Sequence, residues 1–178
     1  MKNKWNYDWI DKSEINKIAK KVLPEIWEKR FISDHKKEIC YGKWFIGING
    51  KVDRIINGVI QENSGYIESV CENAIIERVN ITGKIKEIYG GIIKDSFGKI
   101  EKVAFDGIIY NVYDGIIDLV CGDGVIKNIF YGVIKEVSGG IVQNVNKNAI
   151  VGKVHYDGIA LLENKNIMRM QNKIIKLW

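Results

Sequence analysis

Cys121, Ser138 and His155 recur at intervals of 17 residues, with Ala104 one interval earlier. A thiol, a hydroxyl and an imidazole in one register invite a nucleophile and its general base. That chemistry also needs an acidic group to orient the imidazole and donors to hold an oxyanion, and no signature of either accompanies these positions. Small polar residues stacked along a repeat account for the column without any reaction. His35 and His155 are the only histidines, too few to favour a histidine metal site. Aspartate precedes glycine at Asp106, Asp114, Asp123 and Asp157. Calcium-binding nonapeptides use a G-G-x-G-x-D spacing that is absent here, so these aspartates read as turn formers beside glycines for which positive φ is cheap. No Walker A or dinucleotide fingerprint occurs, because the glycines punctuate strands and do not introduce helices. The sequence therefore assigns no catalytic, cofactor-binding or metal-ligating residue, and the expectation is a protein that is not an enzyme.

Two groups of residues bear on binding instead. Lys17, Lys20, Lys21, Lys29 and Arg30, with Lys12, Lys36 and Lys37, are the one basic concentration. A solvated helix face is the default reading, and contact with nucleic acid or an acidic protein surface is the alternative. Ile108, Ile116, Val125, Val133 and Ile141 each directly follow a glycine. If the next residue points inward, alternation sends these outward as an aliphatic ladder of a kind monomers rarely expose. If a corner turns them inward, which is the slightly favoured of the two readings, they only thicken a core.

The elements that must position these residues are legible as a repeat. Gly98-Lys99-Ile100-Glu101-Lys102-Val103 returns as Gly107-Ile108-Ile109-Tyr110-Asn111-Val112 and as Gly115-Ile116-Ile117-Asp118-Leu119-Val120. The phrase G-x-I-x-x-V recurs every eight or nine residues, and self-similarity at short fixed period marks a solenoid. Units match best in alternate pairs: Ile100, Ile117, Ile134 and Val151 are 17 apart, as are Val103, Val120, Val137 and Val154. The predicted fold is mainly β, a single-stranded parallel β-solenoid of about 17 residues per coil and roughly eight coils, over residues 39–178. Ile and Val three apart cannot both face inward from a straight strand, so each unit must contain a bend.

Residues 1–38 read differently. Asp11 and Glu14 form a capping-box start, and Ile15, Ile18, Ala19, Val22, Ile26 and Trp27 follow at helical spacing, with Pro24 expected to kink this helix or split it into two. Trp5, Trp9, Trp27 and Trp44 all precede the repeats. A solenoid exposes an apolar cross-section at its ends, so 1–38 is expected to be an α-helical, aromatic N-terminal cap. Residues 1–50 hold 11 Lys/Arg against 7 Asp/Glu, whereas residues 51–178 hold 16 against 15. A nearly neutral rod gives only weak support to direct nucleic-acid binding. Cys40, Cys71 and Cys121 have no paired spacing, no apolar leader or membrane-length run is present, and a single threonine argues against an ice-binding face. A reducing, cytoplasmic setting without membrane attachment is the expectation.

The repeated G-x-I-x-x-V phrase resembles short-repeat β-solenoids of bacteria and phages, and more loosely pentapeptide-repeat proteins, whose five-residue step is absent. The resemblance covers residues 50–178. It implies a rigid binding surface without cofactors, in its most concrete form a phage or mobile-element inhibitor, anti-CRISPR-like, that occludes a host nucleic-acid-targeting protein. A protein partner is expected. The alternative is a structural protein that self-associates through the aliphatic ladder or the terminal Ile174-Ile175-Lys176-Leu177-Trp178 strand; a carbohydrate-active β-helix fits less well, because its coils are usually longer.

Overall fold

A computed structural model describes residues 44–162, together with short strands at 31–32, 39–40 and 167–168. In chain order the strands are Phe31–Ile32 (β1), Ile39–Cys40 (β2), Trp44–Ile48 (β3), Lys51–Ile56 (β4), Val59–Asn63 (β5), Tyr66–Cys71 (β6), Ile75–Val79 (β7), Lys84–Ile88 (β8) and Ile92–Ser96 (β9). They continue as Lys99–Val103 (β10), Ile108–Val112 (β11), Ile116–Cys121 (β12), Val125–Ile129 (β13), Val133–Ser138 (β14), Ile141–Val145 (β15), Ile150–Val154 (β16), Ile159–Leu162 (β17) and Ile167–Met168 (β18). Alternate strands belong to different sheets. One sheet runs β1-β3-β5-β7-β9-β11-β13-β15-β17-β18, the other β2-β4-β6-β8-β10-β12-β14-β16. Neighbours are parallel throughout, except that β18 returns antiparallel to β17. The chain is thus a two-sheet parallel β-solenoid, called here the first and second sheet in that order.

Each strand obeys the same local logic. In β12, Ile117 and Val120 are fully buried while Ile116, Asp118 and Leu119 lie on the outer side. Two consecutive outward residues between two inward ones place the bend inside the strand, where the three-residue spacing demanded it. Stacking then sets identical residues above one another. Ile100 pairs with Ile117, Ile117 with Ile134 and Ile134 with Val151 in the second sheet. Ile109, Ile126 and Val142 do the same in the first. Inward aliphatics from both sheets form one continuous core from Phe45 to Ala160, each fully buried isoleucine contributing about 1.5–3 kcal/mol.

Roughly 17 residues make one coil, and the described residues complete about seven coils rather than eight. The parallel winding stops at β17, where β18 turns back, and the last units of the expected rod lie outside the described residues. The slips in the early repeats are taken up at turns: Lys51 pairs with Tyr66, and Tyr66 with Lys84, without loss of ladder register.

The glycines do a different job from the one expected. Positive φ occurs at Asn57, Glu72, Gly90, Phe105, Gly122 and Gly139, all at the corner leaving the second sheet. The glycine that opens each unit has no such conformation. At Gly124 an added Cβ would stand 2.6 Å from the Val103 carbonyl oxygen of the coil below. Close stacking of backbone on backbone, not turn conformation, excludes a side chain there.

No helix occurs among the described residues. The helical cap expected over 1–38 and the residues Lys17, Lys20, Lys21, Lys29 and Arg30 fall outside them. Within that range Phe31–Ile32 pairs with Gly47 and Ile48 and so belongs to the first sheet.

Candidate functional site

The residues after the unit glycines face outward, so the inward-turning corner favoured by the sequence is corrected. Alternation wins because the bend falls later, between the inward Ile and Val. Ile116 is 41% exposed, and Ile108, Val125, Val133 and Ile141 are half-buried. They do not form one ladder. Ile108, Val125 and Ile141 lie in the first sheet, whereas Ile116 and Val133 lie in the second.

The first-sheet ladder is longer than its sequence candidates. Val59 pairs with Ile75, Ile75 with Ile92, and Ile92 with Ile108, joining the run through Val125 and Ile141 to Ile159. Val59, Ile75 and Ile92 also follow the opening small residue of their units, Gly58, Ala74 and Gly91. Sorting units by alternate membership, instead of comparing early with late ones, would have found them.

Beside the aliphatic row runs a row of amides. Asn111 Nδ2 donates to Asp95 Oδ1 at 2.9 Å, Asn128 Nδ2 to Asn111 Oδ1 at 2.9 Å, and Asn144 Nδ2 to Asn128 Oδ1 at 2.8 Å. Equivalent strand positions one coil apart bring these groups together, and the chain of bonds holds each amide in one orientation. Between the rows stand Glu77, Lys94, Tyr110 and Lys127. Lys94 Nζ lies 2.7 Å from Glu77, and Lys127 Nζ sits 3.9 Å from the centre of the Tyr110 ring. Ile75, Ile92, Lys94, Asp95, Tyr110 and Asn111 line a shallow open depression of about 500 Å³ on this face. Directly after the ends of β9, β11 and β13 the Phe97, Tyr113 and Phe130 rings stack at 5.0 and 5.1 Å.

The second sheet is built otherwise. Its outward positions carry Lys51, Lys84 and Lys99 where the first sheet has aliphatics, then Ile116, Val133 and Ile150. Ion pairs cross it from coil to coil: Lys86 with Glu68, Lys99 with Asp118 at 3.2 Å, and Lys135 with Asp118 at 2.8 Å. Burial alone would raise the Asp118 carboxyl, but Lys135 and Lys99 hold it below the usual carboxylate range. The Lys86 contact lowers Glu68 in the same way. Tyr89 donates to Glu87, which pushes its phenol up to about 12.

The spaced column of possible nucleophiles lies at the corner after the second sheet. Cys121 pairs with Ser138, and burial pushes the Cys121 thiol up, away from the reactive thiolate. His155 does have an acidic partner, Glu136, which the 17-residue column could not reveal because it sits on the strand preceding that corner. Among the described residues no hydrogen bond joins Ser138 or Cys121 to His155, and no three His, Cys, Asp or Glu side chains are gathered as a metal site. The arrangement pairs a histidine with a carboxylate of the coil below.

Compared with protein-family models, curated proteins and solved structures, the chain matches none of them. The site must be read from its own geometry. No helix among the described residues is long and apolar enough to cross a membrane.

Proposed function

We propose that this protein is a rigid, non-enzymatic docking scaffold whose first-sheet outer face binds another macromolecule. The observation that carries the reading is the unbroken half-exposed ladder from Val59 to Ile159, flanked by the oriented amides of Asn111, Asn128 and Asn144. Water solvates such a row poorly, and a partner surface that covers it gains by burial. The amide row supplies direction without mobile charge. The strands beneath are paired on both sides, so the face needs no reorganisation on binding.

Occlusion of a host nucleic-acid-targeting enzyme and self-association would each use such a face, and both require a shape and no active site. A photo-crosslinking side chain placed at Tyr110 on the first sheet is expected to capture a partner of defined mass under native conditions. The same group at Lys135 on the second sheet is expected to capture none. Equal yields from both positions, or none from Tyr110, would sink the reading.

A further inference from the structure

We infer that the macromolecule seated on the first sheet is a second copy of this chain, packed face to face in antiparallel orientation about a two-fold axis. This rests on the docking reading above and names its partner. Three observations lead to it.

The first is periodicity. The face is a set of rungs spaced by about 4.8 Å, with the aliphatic row always at the same strand position. A surface ruled at that interval is matched rung for rung by another stacked β-sheet, and dry packing of such rows against their own copies is well established.

The second is charge. Between Val59 and Asn144 the outward positions of the first sheet hold Glu62, Glu77 and Asp95 against Arg78, Lys94 and Lys127. A balanced face can meet itself. The second sheet is dense with charges engaged in ion pairs, and its desolvation would be costly. An antiparallel two-fold also brings opposite charges together. With the axis between Ile92 and Ile108, Ile92 meets Ile108 of the second copy, Ile75 meets Val125 and Val59 meets Ile141. The same operation sets Glu77 opposite Lys127 and Lys94 opposite Tyr110, each twice by symmetry. A shift of the axis onto Ile108 would instead oppose Lys94 and Lys127, so charge selects the register.

The third is area. Were the strands unbent, six rungs of five residues would cover at most roughly 29 Å by 16 Å, about 950 Å² over two copies before side-chain relief is added. That is close to the floor of about 1,000 Å² for a specific interface, so a reversible dimer is expected, not an obligate one.

Sedimentation equilibrium of the full chain tests this. The expected result is a concentration-dependent species of twice the chain mass. Ile92→Lys with Ile108→Lys should leave monomer with an unchanged far-ultraviolet spectrum, while Ile116→Lys on the second sheet should leave the dimer intact. Glu77→Lys should weaken association by about tenfold or more, and adding Lys127→Glu to it should restore affinity. A monomer at all accessible concentrations overturns the inference, as does a dimer that survives the two lysines. If the protein is monomeric while the Tyr110 crosslinker captures a different protein, or joins residues 1–30 of its own chain, the second copy is excluded. Capture of a different protein leaves the docking face standing; monomer with no capture at all removes both.

Discussion

Ser96 is the residue at which the repeat breaks its own rule. It occupies the position filled by Val79 in the coil before and Val112 in the coil after, and it is fully buried. Its hydroxyl has no hydrogen-bond partner, and a buried unsatisfied polar group of this kind costs about 1–3 kcal/mol. Val112 projects a methyl beneath Gly132 as Ser96 projects its hydroxyl beneath Gly115, so valine has room there. Ser96→Val is therefore expected to stabilise the protein by about 1–2 kcal/mol in denaturant unfolding. A loss of stability would mean the hydroxyl is satisfied in solution. Asn63, the other polar residue in that column, is not such a case, since its Oδ1 accepts from Gly65 N at 3.1 Å and closes the corner.

Asp118 gives the pH dependence at the same scale. Its carboxyl is held below the ordinary range when folded, so its contribution is present above the unfolded value and is lost as pH falls through the folded one. Asp118→Asn should cost up to about 1 kcal/mol at neutral pH and low salt. The gap between variant and parent should close in acid and in high salt, as thermal unfolding in a pH series would show. A gap independent of both would mean the loss is packing and not charge.

At the scale of the element, the strand unit was legible and the glycine's reason was not. The pattern G-x-I-x-x-V marks the Ile and Val positions as core, but the residue after the glycine is aliphatic in most units too, and the letters alone do not say that it faces outward. The same letters are silent on whether a glycine serves conformation or clearance. Gly124 and Gly122 separate the two. Gly124→Ala drives a methyl against the Val103 carbonyl and should cost about 1–3 kcal/mol by overpacking. Gly122 has φ of 57° with its nearest foreign atom 3.7 Å from an added Cβ. Gly122→Ala should cost about 1–2 kcal/mol from backbone strain alone, and Gly122→Asn less, since asparagine tolerates that conformation. Gly124→Asn should be worse than Gly124→Ala. Equal responses at the two sites would refute the distinction.

For the whole molecule, the rod should behave as a one-dimensional stack. Strands bond only to their neighbours one coil away, as β12 does to β10 and β14. Ile117→Ala removes a fully buried side chain and should cost about 2–5 kcal/mol. Amide exchange should accelerate most in β10, β12 and β14 and least in β4. Uniform acceleration along the rod would show a single cooperative unit instead.

The sequence by itself determined the solenoid, its coil of about 17 residues and the inward Ile and Val ladders, because a core ladder repeats the same residue types at every rung and such repetition is visible in one dimension. It also showed that Ile108, Ile116, Val125, Val133 and Ile141 share a position within their units. Only the tertiary structure decided that Ile108, Val125 and Ile141 part company with Ile116 and Val133. Successive units are alike in sequence yet lie on opposite sheets, so a face is composed of every second unit. Glu136 meeting His155, and the Asp95, Asn111, Asn128 and Asn144 row, are contacts between coils. They arise from winding, which places residues 16 to 19 apart in the chain side by side.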